Sequence, residues 1–70
     1  MTKFLLQTFA IAGVRADLDK WQEEYDFYQK LWEETTSEYQ KKNCEKHKEE
    51  AWENICACKK MIREIENYEF

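Results

Sequence analysis

The chain is 70 residues long with a net charge of −4, and it contains no proline and a single glycine, Gly13. That length allows one domain at most, residues 1–70, and a core of this size rarely supplies more than about 3 to 5 kcal/mol without a disulfide, a metal or a partner chain. Turn-rich sandwiches and barrels are disfavoured by the lack of glycine and proline, while Glu, Lys, Gln, Leu and Ala fill most positions after residue 15, so the composition predicts an all-α fold.

Residues 1–13 open with M-T-K-F-L-L-Q-T-F-A-I-A, an apolar segment with no charge after Lys3. It is far too short to span a bilayer, which takes about 20 residues, so no membrane partner is expected. Lys3 ahead of an apolar stretch and Ala10-Ile11-Ala12 imitate a secretory signal, but Gln7 and Thr8 interrupt the run. Leu5, Phe9, Ala12 and Ala16 fall at helical spacing, and the alternation around them also fits a strand. Helix is the better reading, because a lone strand needs a pairing edge and nothing later in the chain offers one. Gly13 is expected to break the chain before the next element.

A first long helix is expected over 17–40. Leu18, Trp21, Tyr25, Tyr28, Trp32, Thr35 and Tyr39 alternate steps of three and four, which is a heptad seam, and Asp17 or Asp19 can cap its start. A second stripe, Ala51, Ile55, Cys58, Ile62 and Ile65, defines a second helix over 45–68. Continuing the first seam past Tyr39 lands on Lys42, Lys46, Glu49 and Glu53, so the two stripes are out of phase and the chain turns between them. The polar run 40–50 places that elbow at 41–44, with Asn43 suited to ending a helix. Thr35-Thr36-Ser37-Glu38, where Thr35 and Glu38 have capping-box spacing, is the alternative turn at 35–38. Either position gives an antiparallel helical hairpin, its core built from Leu18, Trp21, Tyr25, Tyr28, Trp32, Ile55, Cys58, Ile62 and Ile65.

The residue chemistry points away from catalysis and cofactors. Cys44, His47, Cys56 and Cys58 are zinc-ligand types, but C-x-C within a helix splays its ligands and no C-x2-C knuckle is present, so no metal or cofactor is expected. The odd number of cysteines reads as reduced thiols in a cytoplasmic protein. No phosphate loop or nucleophile arrangement exists, and His47 lies in the most polar stretch of the chain, so the protein is not expected to be an enzyme. Residues 17–38 are strongly acidic, and the short basic run from Lys41 to Lys48 is no DNA-binding footprint, which excludes direct nucleic-acid binding.

More apolar surface exists than a two-helix contact uses. Phe27 and Leu31 lie about 90 to 130° around the helix from the first seam, and Trp52 lies as far from the second. Either residues 1–12 fold back over one of these faces, or the faces meet another molecule: a second copy, forming a helical-bundle homodimer, or a protein partner. Asp19, Glu23, Asp26 and Glu33 form an acidic row opposite the seam, either a solvated face or an imitation of a phosphate track. In size, acidity and aromatic content the chain resembles the small accessory proteins with which bacteriophages and mobile elements inhibit or redirect a host protein, a resemblance of composition alone. The expected function is a non-catalytic interaction module, an inhibitor or adaptor. The alternatives are an acidic nucleic-acid mimic and a structural homo-oligomeriser.

Overall fold

A computed structural model describes residues 2–68 and places nearly all of them in two helices, α1 over Lys3–Glu34 and α2 over Glu38–Asn67, packed against each other as an antiparallel hairpin 53 Å long. The all-α hairpin expected from the sequence is the architecture found.

The N-terminal boundaries differ from expectation. Thr2 caps α1, its hydroxyl oxygen accepting the Leu5 N–H at 3.3 Å, and the helix then runs unbroken through Gly13, which has no positive φ. The expected break at Gly13 and the expected helix start at 17–19 are both corrected. A mid-helix glycine costs only about 1 kcal/mol relative to alanine, and the seam continues on both sides of it. Gln7, Ile11 and Val14 extend the Leu18, Trp21, Tyr25, Tyr28 and Trp32 line backwards in steps of four and three, and all are half-buried. The stripe Leu5, Phe9, Ala12 and Ala16 instead faces away from α2 and is exposed.

The elbow lies at residues 35–37, at the alternative position and not at 41–44. Two short side chains, Thr35 and Ser37, wire it together with Gln40. The Thr35 N–H donates to Leu31 O at 2.9 Å and closes α1, and the Thr35 hydroxyl accepts the Ser37 N–H at 3.2 Å while donating to Gln40 Oε1. Ser37 then caps α2 by accepting the Gln40 N–H at 3.3 Å, so the N-cap is Ser37 and not Thr35, and the Ser37 N–H goes to the Thr35 hydroxyl instead of closing a capping box with Gln40. Tyr39 thereby leaves the first seam for the opening turn of α2, where it is 82 % exposed.

The polar run 40–50 is helical because its seam uses small residues and lysine stems. Lys41, Cys44, Lys48 and Ala51 extend the Ile55, Cys58, Ile62 and Ile65 line backwards in steps of three and four, and Cys44, Ala51 and Ile55 are the buried hydrophobic residues. Opposite them α1 supplies its bulk. Lys41 Nζ sits 5.2 Å and Lys48 Nζ 5.3 Å from the Trp32 ring, and Lys48 also lies 5.6 Å from Tyr25. His47 stacks flat on Tyr28, 4.4 Å between ring centroids and 8° between planes, so although it lies in the most polar stretch it is a half-buried packing residue. The far end is held by Gln7, whose Nε2 donates to Ile65 O at 3.2 Å and Glu66 O at 3.3 Å, carbonyls of the last turn of α2, where Ile65 O also accepts the Tyr68 N–H at 3.2 Å.

Two stability changes of opposite sign follow. Nothing lies within 4 Å of where a Gly13 Cβ would stand, so Gly13→Ala should raise stability by about 0.5 to 1 kcal/mol in urea denaturation; a loss would mean that the helix is not continuous there. Ala51→Leu forces a larger side chain into the tightest part of the seam and should cost about 1 to 3 kcal/mol in the same assay.

Candidate interaction face

Trp52 follows the buried Ala51, and one helical step of about 100° carries its ring to the edge of the seam. There it tilts against Tyr25, 6.0 Å between centroids and 51° between planes, and stays 53 % exposed. A depression of about 350 Å3 lies on one side of the ring, walled by Tyr25, Glu45, Lys48 and Glu49. A second of about 250 Å3 lies on the other, walled by Gln22, Tyr25, Asp26, Ile55 and Lys59. The Trp32 indole N–H donates to Glu45 Oε1 at 3.3 Å and so fixes one carboxylate at the rim.

The acidic row runs along this same side. Asp19, Asp26 and Glu33 are seven residues apart and keep one line on α1, Glu23 stands beside them, and all four are exposed. Asp26 walls the depression next to Trp52, and Glu33 accepts a 2.9 Å hydrogen bond from Gln29 Nε2. Sequence reasoning treated Trp52 and the acidic row as separate features; the hairpin brings them together.

Phe27 and Leu31 are placed elsewhere. Phe27 is 62 % exposed and meets Tyr28 edge-on at 5.2 Å, while Leu31, one turn on, is half-buried. Phe27 lies about 200° around α1 from Tyr25, the ring on which Trp52 rests, so the two aromatic residues do not share one surface. Lys48 and Glu45 were missed as members of the Trp52 site. Carrying the second stripe backwards from Ala51 in steps of three and four would have found Lys48, and Glu45 lies one helical turn before Glu49.

The cysteines are scattered along α2: Cys44 buried, Cys56 exposed, Cys58 half-buried, and all free. Among the described residues no three His, Cys, Asp or Glu side chains gather as a metal site, and no helix is long and apolar enough to cross a membrane. The chain matches no protein-family model, no curated protein and no solved structure.

Proposed function

We propose that the protein is a non-catalytic protein–protein interaction module, an inhibitor or adaptor of a partner protein in the cytoplasm, and that it binds through the acidic, aromatic face centred on Trp52. The observation that carries this reading is a half-exposed tryptophan held between two depressions with carboxylates around it. A large ring fixed on one side by Tyr25 loses little conformational freedom on binding, and tryptophan is among the residues most enriched at interface hot spots. Asp26, Glu45 and Glu49 outnumber Lys48 and Lys59 in the walls and favour a partner with basic side chains around an apolar cleft. The compositional likeness to accessory proteins of phages and mobile elements agrees with this role.

Nucleic-acid mimicry is the weaker reading. Asp19, Asp26 and Glu33 are about 10.5 Å apart along the axis, whereas one strand of a duplex presents a phosphate every ~3.4 Å.

A homodimer is the second element of the proposal, because the buried hydrophobic core of the described residues consists of Cys44, Ala51 and Ile55. A core that small gains from a second copy, and the Phe27 and Leu31 side is the surface we assign to it, leaving the Trp52 face to the partner.

The test uses the full chain as bait in extracts of its native host. Trp52→Asp should weaken capture by at least about 2 kcal/mol, roughly thirtyfold, with the helical circular dichroism retained. Asp26→Lys should weaken it less and remove part of its salt dependence. Unchanged capture by both variants would end the proposal. Phe27→Asp should convert a dimer to a monomer in light scattering while capture persists; a wild-type monomer at high concentration would overturn the dimer.

A further inference from the structure

The charge of the molecule is divided along its length. Gln7 ties the start of α1 to the end of α2, so residues 2–15 and 59–68 form one end of the hairpin, opposite the turn. That end carries Lys3, Arg15, Lys59, Lys60 and Arg63 against Glu64 and Glu66, a positive excess in a protein whose remainder is strongly acidic. The same end bears the longest uncharged stretch of the chain. Phe4 is 73 % and Phe9 63 % exposed, Leu5 and Leu6 are also exposed, and no charged residue stands between Lys3 and Arg15.

The apolar groups Leu5, Leu6 and Phe9 look away from α2, and the basic groups flank them. Phe4, Arg15 and Gln22 fall on one line of α1 at steps of eleven and seven. Gln22 shares a depression with Lys59, and Lys59 shares another with Arg63 one turn further on. Phe4, Arg15, Lys59 and Arg63 therefore lie on one flank of the hairpin, with Glu66 beside the last two, and Leu5, Leu6 and Phe9 form the outward side of α1 next to that flank.

We propose that this open end is a docking surface for an anionic lipid membrane, entering the interface without crossing it. Aromatic and aliphatic side chains on a helix with lysine and arginine at its borders are what the boundary between headgroups and acyl chains accepts, and the basic groups add attraction to acidic lipids. Lys3 and Arg15 bracket a contact about 18 Å long. From Asp17 onward acidic residues repel the surface, so the hairpin tilts away and holds the Trp52 face clear of it.

Other occupants fit less well. A second copy meeting this end isologously would bring its basic residues against their own duplicates. A nucleic acid would use the basic groups but leave Leu5, Leu6 and Phe9 without a role. The inference shares Gln22 and Lys59 with one wall of the Trp52 face but does not rest on Trp52, Glu45 or Glu49.

Sedimentation of the full chain with vesicles tests it. The protein should bind phosphatidylcholine vesicles containing one-third phosphatidylglycerol and bind pure phosphatidylcholine at least about tenfold more weakly, with the difference shrinking in about 0.5 M salt. Phe9→Asp and the pair Lys59→Glu with Arg63→Glu should each reduce binding to the anionic vesicles about tenfold or more while helicity is kept. Trp52→Asp should bind vesicles as the wild type does, which separates failure here from failure of the partner face. No binding to anionic vesicles, or binding that Phe9→Asp leaves intact, overturns the proposal. So does light scattering in which Phe9→Asp splits a dimer that never binds vesicles, or retention of a labelled oligonucleotide in place of lipid.

Discussion

Size matching across the interhelical seam is the constraint on which the rest of the hairpin depends. Near the turn α1 presents Tyr25, Tyr28 and Trp32, and α2 answers with Cys44, Ala51 and the stems of Lys41 and Lys48. Toward the open end the lengths even out, with Ile55, Cys58, Ile62 and Ile65 on α2 and Leu18, Val14, Ile11 and Gln7 on α1. Large against small on the seam line, with His47 and Trp52 meeting Tyr28 and Tyr25 at its edges, is a directional code. Sliding one helix past the other by a heptad would set large side chains against large ones at one place and open a cavity at another, and either fault costs a few kcal/mol. The register is fixed by volume more than by charge.

The same constraint decides what was legible in the sequence. The seam through Leu18, Trp21 and Tyr25 and the stripe through Ile55 and Ile62 are strongly apolar, and periodicity alone found them. The elbow was harder to place because a seam made of cysteine, alanine and lysine looks like a loop: Lys41, Cys44 and Lys48 pack through their stems and small size, and hydropathy counts lysine as polar throughout. Gly13 misled for a related reason. Its cost in a helix is small and local, whereas the seam that carries the chain past it is spread over many turns. At the candidate site the sequence identified Trp52 and the acidic row separately, since nothing in a single helix reports that Asp26 of one arm and Trp52 of the other will wall the same depression.

A two-helix contact also limits how much of each helix can be covered. A narrow seam hides one stripe and leaves the rest of the circumference to solvent, so residues one step off the line, such as Trp52, Phe27 and Phe9, stay exposed whatever their hydrophobicity. Their arrangement along the axis is not uniform. The acidic middle carries one exposed indole, Trp52, in a mostly carboxylate setting, while the open end carries phenylalanines and leucines among lysines and arginines. These are chemically opposed surfaces on one rigid rod, and the tie from Gln7 to the last carbonyls of α2 keeps the second of them assembled.

Pairing residue 11 with partners near residue 62 also has a consequence for birth on the ribosome. The whole of α1 is made before any of α2, and its N-terminal turns wait longest, because the isoleucines that line up with Ile11 and Val14 lie toward the far end of α2. At about 5 to 20 residues per second, roughly 50 residues of synthesis leave that strip bare for something like 3 to 10 s. The nascent helix is thus at its stickiest while still attached, and whatever waits near the tunnel exit meets the open end of the protein before the hairpin exists.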